Sequence, residues 1–275
     1  MPHDELLAGA LAAAAAGSAV LRRYFGGADL DVRTKAPHDF VTRADRESEE
    51  ATVAEIRRRF PDHRIVGEEG GERPGGAGEP CWILDPLDGT TNFLQGLPVF
   101  AISVACVAGE RSLVGVVGEP MAGKVFHATR GGGAWCDGGP LRVSARSELA
   151  GSFLATGYPF KAYGALDHYL GALRDALLVA RAVRRCGAAA LDLAYTASGV
   201  YDGFFEFRLA PWDLAAGTLL IEEAGGVVTD LEGGNDFLFR GNVVAGAPAV
   251  QAALLSLVRR HADDALLDRL VPRAV

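Results

Sequence analysis

Apolar residues recur along this chain in two patterns, and the change from one to the other lies near residue 150. Before it, apolar or alternating runs are separated by Gly-containing turns, at 100–108, 112–117 and 124–129. Such runs are typical of an antiparallel sheet. After Gly151, short apolar runs alternate with segments of helical periodicity, which is the pattern of an α/β half. The sequence therefore predicts a mixed fold, α+β and α/β, whose two parts, 1–150 and 151–275, share an interface.

Periodicity and turn residues give the individual elements. We predict helices at 6–21, 42–60, 167–180, 188–198 and from 249 onward. We predict strands at 64–66, 82–84, 153–156 and 182–186, followed by further alternating elements at 203–207, 211–224, 227–229 and 243–246. The polar segment 31–39, which Pro37 interrupts, is predicted to be a loop or hairpin that carries Lys35 and Asp39. The glycine-rich segment 67–80 is predicted to be a surface loop.

The first predicted helix lies in an apolar run that has nearly the length of a membrane span. A signal peptide begins with a positively charged region, whereas this run follows Asp4 and Glu5. The run is also mostly alanine, the best helix former, and it is shorter than the roughly 20 strongly apolar residues that cross a bilayer. We therefore expect a core-packed helix that ends at Gly26-Gly27, no membrane partner, and a cytoplasmic protein.

The cysteines support the same compartment. They lie far apart and form no C-x-x-C pair: Cys81, Cys106, Cys136 and Cys186. Cysteines without such spacing are typical of free thiols in a reducing cytoplasm rather than of a zinc site or a disulfide framework.

Composition and charge narrow the classes of function. With 275 residues, 49% of them hydrophobic and 23% charged, the chain can bury a full core. Its formal net charge of −8 disfavours nucleic acid and anionic membranes as partners, because binding to a phosphate backbone depends on an excess of Lys and Arg. An acidic protein that handles phosphate recruits positive charge locally, most simply as metal ions.

One stretch concentrates the chemistry: the apolar run 82–84 is followed by Asp85, Asp88 and a Gly-Thr-Thr turn. Pro86 lacks a backbone donor and has a fixed φ, so we expect normal strand pairing to stop at Asp85. The carboxylates of Asp85 and Asp88 and the carbonyl of Leu87 can then converge on one point. Convergent oxygens suit a hard cation such as Mg²⁺.

The backbone amides of Gly89 and Thr90 follow directly, and the turn residues predict that they open a helix. Amides in such a position form an anion-binding end. A cation site beside an anion site implies a phosphate ester as the ligand.

Several acids crowd the first turns of the predicted helix 42–60: Asp45, Glu47, Glu49 and Glu50. Negative charge near a helix N-terminus is favoured by the helix dipole. For each of them the simplest interpretation is a solvated or capping residue.

Other catalytic patterns are weaker. The segment 118–124 has the spacing of a P-loop up to Lys124, but Val125 stands where a P-loop needs Ser or Thr, so we predict a hairpin turn there. No G-x-G-x-x-G or G-x-S-x-G pattern occurs, which leaves Rossmann cofactor binding and serine-hydrolase chemistry unsupported. Phosphatases that use an Asp nucleophile carry Asp-x-Asp-Gly-Thr, whereas Asp85 and Asp88 are separated by two residues, a spacing that favours metal ligation.

Three motifs follow one another along the chain. They are Gly67-Glu68-Glu69, then Asp85-Pro86-Leu87-Asp88-Gly89-Thr90-Thr91-Asn92-Phe93, then Pro211-Trp212-Asp213-Leu214-Ala215-Ala216-Gly217 with Glu222, Ala224, Gly225 and Gly226 shortly after. In this order the chain resembles the inositol monophosphatase family of Mg²⁺-dependent, lithium-sensitive phosphatases over nearly its whole length. The resemblance implies the layered αβαβα sugar-phosphatase fold, which fructose-1,6-bisphosphatases share, and a homodimer.

The resemblance also implies two to three Mg²⁺ ions in each subunit. Glu68, Asp85 and the Leu87 carbonyl resemble the ligands of the first ion. Asp85, Asp88 and Asp213 resemble those of the second.

A third, weaker ion is held in the family near a mobile loop. Here Glu68 and the segment with Lys35 and Asp39 resemble that region, and Glu69 is expected to support the site from behind the ligands.

For catalysis, Asp45 resembles the family acid that hydrogen-bonds the threonine of the central motif, here Thr90. The implied mechanism is direct in-line attack by a metal-activated water, which Glu68 and the Thr90–Asp45 pair help to deprotonate, without a covalent phosphoenzyme. The phosphoryl oxygens would lie on the metals and on the amides of Gly89 and Thr90.

Gly187, Ala188 and Glu206 resemble the positions that hold the hydroxyls of the substrate, although the family often has Ser where this chain has Ala188. Asp192 is either an additional contact or a helix-start acid, and the helix dipole favours the second interpretation. Arg208 either contacts a second phosphate or lies on the surface, where Arg is usually found.

The resemblance implies a phosphomonoester hydrolase that acts on inositol monophosphates. Relatives with nearly the same metal site handle fructose 1,6-bisphosphate, histidinol phosphate and 3′-phosphoadenosine nucleotides, so these substrates stay open. A non-catalytic regulatory protein on this fold is the alternative from another class. The set of spaced acids argues against it, because a pure scaffold has no need for them.

Overall fold

The structure, a computed structural model, describes residues 3–28, 30–36, 39–76, 78–160 and 163–262. The elements up to residue 140 are two long helices, a short helix and ten strands: α1 (His3–Tyr24), β1 (Arg33–Ala36), β2 (Asp39–Val41), α2 (Arg43–Arg59), β3 (Arg64–Gly67), β4 (Gly71–Arg73), β5 (Cys81–Asp88), α3 (Thr90–Leu94), β6 (Ala101–Ala108), β7 (Arg111–Glu119), β8 (Lys124–Thr129), β9 (Gly133–Cys136) and β10 (Gly139–Pro140).

The later elements alternate between strand and helix. They are β11 (Phe153–Thr156), a 3₁₀ turn (Tyr163–Ala165), α4 (Leu166–Val179), β12 (Ala182–Arg184), α5 (Ala189–Ala197), β13 (Gly203–Glu206), α6 (Pro211–Glu223), β14 (Val227–Thr229), α7 (Phe237–Arg240), β15 (Val243–Gly246) and α8 (Pro248–Arg259).

These elements stack in alternating layers of helix and sheet. Helices α1 and α2 cover one face of an eight-stranded sheet of order β10-β9-β8-β7-β6-β5-β3-β4, and α5 and α6 cover the other face. A five-stranded sheet, β12-β11-β13-β15-β14, lies beyond α5 and α6, and α4 and α8 close its outer face. This αβαβα arrangement confirms the predicted fold class.

Strand alternation explains how each sheet serves two cores. In β6, Ala105 belongs to the apolar core around α5 and α6, whereas Val104 belongs to the core under α1 and α2. In β13, Phe204 packs in the core around α5 and α6 and Phe205 packs in the core under α4 and α8. Because successive side chains of a strand point to opposite faces, continuous apolar runs are the pattern of strands that are buried on both sides.

Strand β5 lies inside the eight-stranded sheet, parallel to β3 and antiparallel to β6. Its pairing with β6 is regular from Cys81 to Asp85, is interrupted by a bulge, and resumes where Asp88 pairs with Ala101. Regular pairing therefore stops at Asp85, as we expected, but the strand does not end there. The backbone bypasses Pro86 through the bulge and then rejoins the ladder, which places both aspartates in the same strand.

Helix α1 is long and apolar enough to cross a membrane by length and composition alone. In the fold, however, one side of it is buried against the eight-stranded sheet and α2, through Leu6, Ala10, Ala13, Ala14 and Leu21. The core helix of a soluble protein passes the same composition test. The predicted core packing of this helix is confirmed.

Most predicted elements occur within a few residues of their predicted bounds. The hairpin predicted in place of a P-loop is confirmed, because β7 ends at Glu119 and β8 begins at Lys124, which pairs with it. The unpaired state of the four cysteines is also confirmed. The sequence missed β4, which lies in the predicted loop 67–80, and the short elements β9, β10 and α7. The division into two domains, 1–150 and 151–275, stays a prediction. Pro37 and the chain after residue 262 lie outside the described residues.

Candidate functional site

Three carboxylates that are far apart in the sequence meet at one point. One oxygen each from Asp85, Asp88 and Asp213 lie within 4.8 Å of one another. Asp85 and Asp88 are buried in the last part of β5, and Asp213 lies in the first turn of α6. Three carboxylate oxygens at this separation can hold a hard cation between them.

The bulge of β5 is held by hydrogen bonds on both sides. The Leu87 amide donates to Oδ1 of Asp85 at 2.9 Å, which closes a turn around Pro86. The Pro86 carbonyl accepts a hydrogen bond from Ser48 Oγ on α2 at 2.9 Å, and the Leu87 carbonyl lies 3.1 Å from Thr90 Oγ1. The Leu87 amide and the Pro86 carbonyl at the bulge therefore have hydrogen-bond partners, as buried backbone groups must. The two aspartates are fixed as a result.

Two helix N-termini of the later part of the chain complete the cluster. The Ala190 amide, in the first turn of α5, donates to Oδ2 of Asp88 at 2.7 Å. The Ala210 amide, at the N-terminal end of α6, donates to Oδ2 of Asp213 at 2.7 Å, as in a capping box where the acid folds back on the helix start. The cluster therefore exists only while α5 and α6 are docked against β5.

These carboxylates repel one another in a buried place. Burial, with the charges of Glu68, Asp88 and Asp213, raises the pKa of Asp85 well above its ordinary value. Burial and the charge of Asp213 raise the pKa of Asp88 in the same way. A bound cation would remove this repulsion, and a donor set made only of oxygens suits Mg²⁺. The residues present fit the predicted metal.

Thr90 is held by a carboxylate from α2. Its Oγ1 lies 3.0 Å from Oδ1 of Asp45, to which it donates its proton. The other oxygen of Asp45 accepts the Thr42 amide at 2.8 Å, in a capping box at the start of α2. Burial raises the pKa of Asp45, although the hydrogen bonds from Thr42 and Thr90 act in the opposite direction. Asp45 is therefore a buried acceptor that both caps its helix and fixes Thr90.

Lys35, on β1, reaches two carboxylates that follow β3. Its Nζ donates to Oε1 of Glu68 at 3.0 Å and to Oε1 of Glu69 at 2.7 Å. Burial acts against the charge of Lys35, but the two carboxylates outweigh it and raise its pKa. Burial also raises the pKa of Glu69 to about 7, against its ion pair with Lys35. Asp39, the other predicted loop residue, begins the neighbouring strand β2.

A buried carboxylate that the sequence did not single out holds this turn. Glu49 on α2 is 2% exposed, so our interpretation of it as a solvated helix-start acid is wrong. It accepts the amides of Glu69 and Gly70 at 2.9 and 2.8 Å and a guanidinium N–H of Arg73 at 2.8 Å. The glycines at Gly67 and Gly70 were the sequence feature that could have indicated this contact, because a Cβ at either position would lie within 2.5 Å of the Glu49 carboxylate.

A cleft of about 160 Å³ opens beside Asp88 and Asp213. It brings together the three residues predicted to hold substrate hydroxyls, Gly187, Ala188 and Glu206. Asp192 and Arg208, for which the sequence left a substrate contact open, also line it, together with side chains that the sequence did not single out: Tyr158, Phe160 and Arg185. Arg208 is half-buried at the cleft, and its contact with a second phosphate stays a prediction.

Asp192 lies in the first turn of α5, as the helix-start interpretation expects. Its side chain is nevertheless buried, at 1% exposed. Burial raises its pKa to about 8. Among the described residues, its Oδ1 has no hydrogen-bond partner.

The repulsion in the cluster makes stability without metal depend on pH. The ordinary pKa of Asp85 and Asp88 is 3.8, and their pKa in the folded protein is well above it. Above about pH 4 the folded state therefore binds more protons than the unfolded state, and the free energy of unfolding falls as the pH rises. We expect the gap in melting temperature between samples in Mg²⁺ and in EDTA to widen from about pH 5 to 8. A gap that stays constant or narrows in differential scanning fluorimetry would contradict this.

Glu49→Gln keeps the size of the side chain but loses the charge that holds the Glu68–Glu69 turn. We expect it to fold and to bind Mg²⁺ about 10-fold more weakly by isothermal titration calorimetry, because groups behind metal ligands orient them. Glu50→Gln is the matched control, since Glu50 is the next residue of α2 and is exposed. Equal Mg²⁺ affinity in the two variants would show that Glu49 has no positioning role.

Known proteins resemble this chain along nearly its whole length. It is 44% identical over 264 residues to the Nus factor SuhB of Salmonella typhimurium, an alignment that covers 96% of this chain and 99% of that protein. It is 44% identical over 259 residues to the Nus factor SuhB of Pseudomonas aeruginosa, with 93% and 96% covered. The name of these relatives conflicts with our prediction that the chain has no nucleic-acid partner, and we do not carry that prediction further.

Solved structures agree with the fold. The extragenic suppressor protein suhB from Bartonella henselae superposes with a TM-score of 0.90 at 39% identity, over 93% of this chain and 98% of that chain. Inositol monophosphatase from Anabaena superposes with a TM-score of 0.79 at 33% identity, over 93% and 95%. The sequence profile of the inositol monophosphatase family matches residues 3–263. This chain belongs to the inositol monophosphatase family.

Proposed function

We propose that this chain is a Mg²⁺-dependent phosphomonoester hydrolase and that inositol monophosphates are its substrates. The observation that carries the proposal is one adjacency: the cluster of Asp85, Asp88 and Asp213 borders a cleft with Glu206 and lies next to Thr90 in the same turn. A metal site beside a positioned hydroxyl and a cleft for the leaving group supports hydrolysis of a phosphate ester.

The ligands that we infer for two to three Mg²⁺ ions are the carboxylates of Glu68, Asp85, Asp88 and Asp213 and the carbonyl of Leu87. Bound Mg²⁺ lowers the pKa of water and neutralises charge on the phosphoryl oxygens. The chain itself supplies orientation, because amides and α2 fix the ligand oxygens before substrate arrives.

Thr90 and Asp45 would hold and move the proton of the attacking water. A hydroxyl that donates to a carboxylate is a stronger acceptor for a second proton donor, since hydrogen bonds in a chain polarise one another. The raised pKa of Asp45 makes it a better base near neutral pH than an ordinary aspartate. Glu68 is the second proton acceptor of the proposal, and the amides of Gly89 and Thr90 would face the phosphoryl oxygens.

The same geometry disfavours an aspartyl-phosphate intermediate. Asp85 is 1% exposed, and one of its oxygens is bound by the Leu87 amide. Asp88 is bound by the Ala190 amide. A nucleophilic carboxylate needs an oxygen that is free to attack phosphorus in line, and we infer that the remaining oxygens of both aspartates ligate Mg²⁺. We therefore infer direct attack by water.

Asp88→Asn removes one ligand charge while its side-chain carbonyl can still accept the Ala190 amide. We expect phosphate release from myo-inositol 1-phosphate at saturating Mg²⁺ to fall by about 100-fold or more, because a charged metal ligand is lost. Asp62→Asn, at an exposed acid, is the control and should match the wild type. Near-normal turnover of Asp88→Asn would contradict the metal role of Asp88.

The same assay separates the alternatives when it includes fructose 1,6-bisphosphate, histidinol phosphate and 3′-phosphoadenosine nucleotides. The preferred substrate is the one with the highest kcat/KM. A wild-type protein that releases phosphate from none of them would favour the non-catalytic regulatory alternative.

The name of the 44% identical relatives supports a second role, that of a Nus factor. We propose that the chain has this role in addition to hydrolysis.

We also propose a homodimer in the cytoplasm. Helix α4 exposes a row of large apolar side chains, at Leu166, Leu170, Leu177 and Leu178. Exposed apolar patches of this kind mark interaction sites on protein surfaces. The four unpaired cysteines support a reducing compartment.

Leu177→Glu places a charge in the row on α4. We expect the wild type to have the mass of a dimer in size-exclusion chromatography with light scattering, and the variant to have the mass of a monomer, because a buried unpaired charge is costly. Met121→Glu, at an exposed apolar residue in the β7–β8 hairpin, is the matched control and should stay dimeric. A monomeric wild type at micromolar concentration would overturn the proposed dimer.

A further inference from the structure

One buried serine joins the two segments that supply the carboxylate cluster. Ser103 lies in β6, and its cross-strand partner is Asp85, in the last regular pair before the bulge of β5. Directly opposed residues of an antiparallel pair point to the same face of the sheet. The Oγ of Ser103 donates to the Trp212 carbonyl at 2.9 Å, and Trp212 is the residue before Asp213. Ser103 is therefore paired with one proposed ligand and bonded to the neighbour of another.

The residues around Ser103 on this face are small, which lets α6 lie close to the sheet. Ala101 and Ala105 flank it on β6, and Gly115 on β7 pairs with Ala105. A Cβ at Gly115 would lie 2.8 Å from the Cα of Ala216 in α6, closer than real Cβ atoms approach. Because a serine has one short side-chain torsion, its contact with a helix carbonyl leaves little freedom in the distance between β6 and α6.

A second serine makes a similar contact with α6, but it does not face a ligand. Ser112 on β7 is also buried, and its Oγ donates to the Ala215 carbonyl at 2.8 Å. Its cross-strand partner on β6 is Val107. Both serines therefore bond a carbonyl near the start of α6, and they differ in what lies opposite them, a carboxylate or an apolar side chain.

The distance between β5 and the start of α6 matters because of what the two segments carry. The carboxylates of Asp85 and Asp213 repel each other, so the first turn of α6 is pushed away from β5 when no cation lies between them. Mg²⁺ requires ligand oxygens at closely defined distances. A contact that opposes the repulsion would preserve the geometry that the ion needs.

We propose that Ser103 is a positioning residue, which fixes Asp213 at the distance from Asp85 that a Mg²⁺ ion requires. Its backbone pairs with β5 and its hydroxyl holds the first turn of α6. Its side chain is fully buried, so it acts through the ligands and not on the substrate. This inference rests on the Mg²⁺ site of the proposed function and deepens it.

Ser103→Ala removes the hydroxyl and keeps a small side chain. We expect it to bind Mg²⁺ about 10-fold more weakly than the wild type by isothermal titration calorimetry, because groups that orient metal ligands commonly change affinity by this factor. The Mg²⁺ concentration for half-maximal turnover of myo-inositol 1-phosphate should rise to the same extent. At saturating Mg²⁺ the kcat should stay within about 3-fold of the wild type, because the bound ion restores the position of Asp213.

Ser112→Ala is the matched control, since it removes a buried hydroxyl that bonds the same helix. Both variants should lower the melting temperature in EDTA by similar amounts, because each loses one buried hydrogen bond. Ser112→Ala should keep the Mg²⁺ affinity within about 2-fold of the wild type. Ser103→Cys keeps the size of the side chain with a weak donor, so its Mg²⁺ affinity should lie between those of the wild type and Ser103→Ala.

The calorimetry separates failure of this inference from failure of the proposed function. A wild type that binds no Mg²⁺ would overturn both. If the wild type binds Mg²⁺ and the Ser103→Ala and Ser112→Ala variants bind it equally well, the positioning role alone is wrong. A fall in kcat at saturating Mg²⁺ with unchanged affinity would also contradict it. Failure of both Ser103 variants to fold, while Ser112→Ala folds, would show that Ser103 is structural and would overturn the inference as well.

Discussion

The concentration of negative charge at the end of β5 is the constraint on which the rest of the structure depends. Asp85 and Asp88 lie in a strand that is buried on both faces, and Asp213 is brought beside them. Isolated charges are strongly disfavoured in such a place. The surrounding backbone responds with donors that fix each carboxylate, from the amides of Leu87, Ala190 and Ala210. These donors fix the positions of the carboxylates but leave the cluster with a net negative charge. A bound hard cation can neutralise that charge.

The cluster also ties the eight-stranded sheet to the helices that lie between the two sheets, because Asp85 and Asp88 come from β5 and Asp213 comes from α6. Helix α6, which carries Asp213, is held against the eight-stranded sheet by a hydrogen bond from Ser103 Oγ to the Trp212 carbonyl at 2.9 Å. Asn92 of the central motif donates to the Cys186 carbonyl at 2.8 Å, between Arg185 and Gly187, which line the cleft. The geometry of the site is therefore set by how α5 and α6 pack between the sheets. A loss of packing there would separate the ligands before it changed any of them.

Sequence reasoning found what lies close together in the chain. The residues from Asp85 to Thr90 are consecutive, so their shared location follows from one strand and one turn. The family resemblance added the distant Asp45 and Asp213. Neither the spacing nor the resemblance indicated that Glu49 binds amides 20 and 21 residues away, or that Asp192 is buried with an oxygen that has no hydrogen-bond partner among the described residues. The sequence nevertheless contained a pattern that could have indicated the burial of Glu49 and Asp45. The buried stripe of α2 runs from Ile56 back through Glu49 and Asp45 at helical spacing, so extending the apolar period would have separated these two acids from the exposed Glu50.

Glu49 and Asp192 are both buried carboxyl groups, but they differ in their hydrogen-bond partners. Both side chains are almost inaccessible to solvent. Glu49 has donors from two amides and a guanidinium, so its charge is compensated within the fold and its effect is to hold a turn. In the part of the chain that the structure describes, Oδ1 of Asp192 has no hydrogen-bond partner. Because a buried polar group without a partner is unfavourable, the packing of α5 alone does not explain the burial of Asp192.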